Sequence, residues 1–159
     1  MKSMRQIDAM LPLAEVRDLA GEVRRLFDDL DRARPLDRRL LPGVFSPTLD
    51  ARETADMVEI VLDLPGVALE DIRILIRGGV VIIAGAKSPP NPAERAEASF
   101  HLVERDFGRF ARAVRLTGAF QTAMTAATLA NGELRVRIPK LEERRGHDIT
   151  VPVRRPAGP

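Results

Sequence analysis

The stretch Leu129-Ala-Asn-Gly-Glu-Leu-Arg-Val-Arg-Ile-Pro-Lys140 constrains the fold more than any other part of this chain. Asn131-Gly132 fits a two-residue turn, because both residues tolerate positive φ. Leu134, Val136 and Ile138 then alternate with Glu133, Arg135 and Arg137, which is the period of a half-buried strand. Pro139 ends the ladder, since it has no N–H to contribute. Further on, Ile149-Thr-Val151 puts two β-branched residues on one side of an otherwise polar, extended tail. A pair of that kind is a plug for a groove on another chain. The chain reads as a self-assembling β domain.

Upstream the same period recurs. Residues 48–53 and 57–63 alternate, with Val58, Ile60 and Leu62 on one face. Leu64-Pro-Gly-Val67 is a turn with Pro and Gly in favoured positions. Ile72, Ile74 and Ile76 alternate with Arg73, Leu75 and Arg77, and Gly78-Gly79 turns the chain into Val80-Val-Ile-Ile-Ala84, apolar enough for burial on both faces. After a Pro-rich loop at 88–92, strands are expected at 100–106, 110–116, 125–129 and 133–138. Many short strands without intervening helices predict an all-β, immunoglobulin-like antiparallel sandwich over residues 46–141.

Two extensions flank it. In residues 1–45, Leu13, Val16, Leu19, Val23, Leu26, Phe27 and Leu30 recur at spacings of three and four, the mark of one helix face, and Pro35 stops the helix. That stripe either packs on its own domain or stays partly open for assembly or clients. Residues 142–159 are charged and Pro-rich, with Ile149, Val151 and Val153 as their aliphatic pegs, and are expected to be extended and mobile.

Several function classes are disfavoured. The chain has no cysteine, so disulfides, thiol catalysis and Cys-ligated zinc are out. Net charge is only +2 and acids are interspersed with arginines, unlike a phosphate-tracking surface; 4% aromatics provide few stacking platforms. No nucleic-acid partner, cofactor or metal is expected. Neither a signal-peptide core nor eighteen consecutive apolar residues occurs, which makes a cytoplasmic protein without a membrane span the default. For an enzyme the chemistry is thin. His101 and His147 are the two histidines, Ser99 lies near His101 without a nucleophile elbow, and Asp28-Asp29 and Glu142-Glu143 sit in solvated charge runs. No phosphate-binding glycine motif is present.

The motifs together resemble the small heat-shock protein family with an α-crystallin domain, of bacterial type. Leu62-Asp-Leu-Pro-Gly-Val67 with Glu70-Asp-Ile72, the strand Phe110-Ala-Arg-Ala-Val-Arg-Leu116, Ala127 with Asn131-Gly132 and residues 134–140, and Ile149-Thr-Val151 occur in the family's order. Arg25-Leu-Phe-Asp-Asp29 is similar to its arm. Val114 departs from a usual aromatic, Thr117 from Pro, Glu133 from an apolar residue, and Thr125 from an aliphatic groove residue; the arm lacks the usual Trp.

The resemblance implies an ATP-independent chaperone, a holdase that binds partly unfolded clients, built as a homo-oligomer of strand-swapped dimers, with mixed oligomers of paralogues a further option. It implies that residues 100–106 pair with a partner's strand at 48–53, with Phe100, His101, Val103, Arg105 and Arg112 at that dimer interface. The tail pegs Ile149 and Val151, or Val151 and Val153 in a second register, would dock in a groove lined by Ile74, Ile76 and Met124. Leu26, Phe27 and Leu30 of the arm would meet clients. The competing reading is a co-chaperone or scaffold module on a related sandwich that binds a folded partner and lacks the tail plug.

Overall fold

Alternating apolar residues build two sheets that face each other. The computed structural model describes residues 13–33, 43–90, 96 and 98–141. Within them a helix, α1 (Leu13–Ala33), precedes β1 (Leu49–Glu53), β2 (Met57–Asp63), β3 (Ile72–Arg77), β4 (Val80–Lys87), β5 (Gly108–Arg115), β6 (Ala126–Ala130) and β7 (Glu133–Pro139). The strands form one antiparallel sheet ordered β1-β2-β7-β6 and another ordered β3-β4-β5.

Register puts the alternation to use. Val58, Ile60 and Leu62 of β2 lie opposite Ile138, Val136 and Leu134 of β7, and directly opposed residues share a face. Across the sandwich they meet Val81, Ile83, Phe110 and Val114. The β6-β7 turn is the expected one, with Asn131 at φ 53° and Gly132 at φ 76°. β4 is buried along its whole length, as its apolar run implies. Val81 and Ile83 point into the core, while Val80, Ile82 and Ala84 form a second cluster beneath Leu19, Val23, Leu26 and Phe27 of α1. α1 ends at Ala33, consistent with the bias against helix in the residue before Pro35.

The two margins of the sandwich differ. At the β1/β5 margin residues 43–48 act as a strap: Phe45 N donates to Arg109 O at 3.2 Å, and its ring meets Phe110 edge-on at 5.7 Å. Lys87, a buried cation, sits with Nζ 4.6 Å from the Phe45 ring centroid. At the other margin, bounded by the edge strands β3 and β6, no comparable strap occurs among the described residues.

One expected strand is not formed. Residues 100–106 form no ladder, because a strand needs a neighbour for its N–H and C=O groups and no strand among the described residues pairs with them.

Candidate assembly and client surfaces

The β3/β6 margin carries partly buried aliphatic side chains. Ile74 and Ile76 lie opposite Ile83 and Val81, so they face the core side of β3, and Leu129 does the same from β6 opposite Leu134. All three remain only partly buried at the rim of the core. Leu129 was not among the groove residues expected from sequence, although its position two residues before Asn131 marks it as inward-facing. Met124 sits instead on a single turn of 3-10 helix at Thr122–Met124, 65% exposed and outside the rim cluster. Thr125 Oγ1 is buried without a hydrogen-bond partner among the described residues. The pegs Ile149, Val151 and Val153 lie outside the described residues.

A second apolar surface comes from residues 100–103. Phe100, Leu102 and Val103 are 54%, 73% and 61% exposed, and His101 is exposed beside them. Arg105 lays its guanidinium 5.2 Å from the Phe107 ring centroid. Arg112, expected with this group, is turned into its own chain, where Nη1 donates to Pro47 O at 3.1 Å. β1, the strand proposed to receive the segment, is an edge strand.

The arm residues face inward. Leu26 and Leu30 are buried, and Phe27 is half-buried with the Arg109 guanidinium 5.0 Å from its ring centroid. Two ion pairs hold the helix down: Asp31 to Arg109 at 2.6 Å and Glu22 to Arg77. Of the two readings left open for the stripe, packing on its own domain is the one this chain adopts.

Glu59 is a feature that sequence reading missed. It projects from the outer face of β2, yet it is buried beneath three arginines. Arg52 Nε donates to its Oε1 at 2.7 Å, Arg135 Nη1 to Oε1 at 2.8 Å and Arg137 Nε to Oε2 at 2.8 Å. The hydrogen bond from Arg137 leads in lowering its pKa to about 2; burial opposes it, and the Arg52 hydrogen bond and the charges of Arg135 and Arg52 add to the lowering. The cluster clasps three strands. Among the described residues no three His, Cys, Asp or Glu side chains gather as metal ligands would, and no helix is long and apolar enough to cross a membrane.

Two facing antiparallel sheets of this order, strapped at one margin and edged with aliphatic residues at the other, define an α-crystallin-type sandwich. Residues 50–154 match the model of the Hsp20/alpha crystallin family, and the chain belongs to that family. It is 31% identical over 121 residues to Heat shock protein 16 of Schizosaccharomyces pombe, covering 76% of this chain and 85% of that one. With Spore protein SP21 of Stigmatella aurantiaca it shares 35% identity over 104 residues, 64% of this chain and 59% of that protein. Among solved structures, Heat shock protein 16.0 from Schizosaccharomyces pombe superposes with a TM-score of 0.60 at 28% identity, covering 69% of this chain and 99% of that one. HspA from Xanthomonas axonopodis gives 0.53 at 28% identity over 62% of this chain and 94% of that one.

Proposed function

We propose that this protein is an ATP-independent holdase, which binds partly unfolded proteins and keeps them from aggregating, and that it assembles from strand-swapped dimers into exchangeable oligomers. The observation that carries this reading is the coexistence of two accessible apolar surfaces on one folded sandwich: the partly buried margin at Ile74, Ile76 and Leu129, and the exposed segment at Phe100, Leu102 and Val103. Each is matched by something the same chain type can provide. The segment fits the open edge of a partner's β1, covering an edge that otherwise invites aggregation. The margin fits Ile149 and Val151, or Val151 and Val153, of a neighbouring dimer. Each aliphatic side chain fully buried contributes roughly 1.5–3 kcal/mol, from which ordering of the tail subtracts. One such contact opens readily, while many together hold an assembly.

Binding an unfolded client but not its native form removes it from the aggregating pool, and no bond chemistry is needed. A cytoplasmic setting and mixed oligomers with paralogues accord with this reading. Native mass spectrometry across a temperature ramp, with a heat-labile client present, tests it. Oligomers that shed subunits and acquire client mass are expected; a monomer that binds only folded partners would instead identify a co-chaperone or scaffold module.

A further inference from the structure

The outer face of the β3-β4-β5 sheet carries an apolar strip bordered by cations. Val80, Ile82 and Ala84 run along its centre, with Leu75 opposite Ile82 and Ala111 opposite Ala84 widening the apolar strip. Register places arginines along both sides of it: Arg73 and Arg77 on β3, Arg109 and Arg115 on β5, all on the same face as the strip. The strip is apolar and its borders are cationic. α1 is the complement, an apolar stripe with Glu22 paired to Arg77 on one side and Asp31 paired to Arg109 on the other. The fit is incomplete. A cleft of ≈ 500 Å³ lined by Leu19, Glu22, Arg77, Ile82 and Arg115 remains between helix and sheet.

We infer that this face is a binding surface for amphipathic helices with acidic flanks, and that α1 occupies it as an internal stand-in for such a segment of a client. The inference rests on the holdase reading for its biological use, but the surface itself is defined by charge and register alone. Helix-in-groove recognition uses apolar anchors at helical spacing for affinity, and the bordering charges select among partners. α1 is held by Leu26 and its neighbours together with the part-buried Asp31–Arg109 pair, and the cluster it covers is separate from the core between the sheets, so its release leaves that core in place. Selection then falls on client segments that present apolar residues at helical spacing between carboxylates. Basic helices are disfavoured by the same arginines.

The test uses the full chain and two labelled peptides. One carries the sequence of residues 13–33; the other keeps its apolar residues but has Lys in place of every Asp and Glu. Fluorescence anisotropy is followed through a temperature ramp, alongside labelling of the thiol introduced by Ala84→Cys, a single cysteine in a chain that has none of its own. The acid-flanked peptide is expected to bind about ten-fold more tightly than the Lys-flanked one. Labelling of the thiol should quicken on warming and slow again when that peptide is added. Equal affinity for the two peptides, or a thiol that stays protected until the sandwich unfolds, overturns the inference. Light scattering of a heat-labile client separates the two levels. Full suppression without peptide preference removes this surface alone, whereas peptide preference without suppression removes the holdase reading and leaves the surface standing.

Discussion

Arg137 Nε donates to Glu59 Oε2 at 2.8 Å, and this bond leads the group that holds Glu59 ionised on the outer face of the β2-β7 pair. Its pKa of about 2 lies below the ordinary glutamate value of 4.5. The stabilisation is therefore fully present above pH 4.5 and is lost as pH falls from there through about 2, where the folded state also takes up the proton. Glu59→Gln should lower the urea midpoint at neutral pH and flatten the acid limb, so that variant and parent converge near its lower end. Identical midpoints at neutral pH would show that the clasp adds no stability.

Gly85 packs where a side chain cannot. An added Cβ would lie 2.5 Å from Asp71 O and 2.6 Å from Phe110 Cζ, the first of these being backbone that cannot swing aside. Gly85→Ala is expected to cost about 1–3 kcal/mol, the usual range for overpacking a tight core. Chemical denaturation reads this directly; a loss within error of zero would mean that Asp71 and Phe110 relax freely.

The β3/β6 margin and the tail should behave as one unit. Leu129→Ser and the pair Ile149→Ala with Val151→Ala should each lower the oligomer mass by light scattering. Combining them should add little to either alone, because both remove the same contact. Fully additive effects would place the pegs elsewhere.

The exposed segment gives a separate handle. Val103→Asp puts a charge where dimer formation would bury it, at a cost of at least ~2 kcal/mol, and should shift dimers toward monomers in sedimentation. The fold of each subunit should survive, since Val103 is 61% exposed in the single chain. An unchanged dimer would rule this segment out as the swapped strand.

Much of this architecture was readable because it is local. The Asn131-Gly132 turn, the alternation of β2 and β7 and the all-apolar β4 each announce themselves within ten residues, and strand ends shifted by only a few residues. The cover over β4 was different. Its apolar run announced that something lies on Val80 and Ile82, but only the packed chain shows it to be Leu26 and its neighbours on α1. Glu59 was invisible for a related reason. Arg52, Arg135 and Arg137 reach it through the pairings β1-β2 and β2-β7, and register is not written in a stretch of residues. Arg112 was legible as a strand residue, yet its partner, the carbonyl of Pro47, lies 65 positions away. Met124 lies on a turn of 3-10 helix that its apolar side chain gives no hint of.

Gly43 and Gly108 cross so tightly that a Cβ on Gly108 would overlap the Gly43 carbonyl, while Leu141 N donates to Ala119 O at 2.9 Å. The route in from the arm is thus pinned at the first residue of β5, and the route out to the tail beyond its last, with roughly 25 Å of strand between them. The described chain thus enters the sandwich at one end of β5 and leaves it at the other, so the connections to its two flanking segments never compete for the same end of the fold.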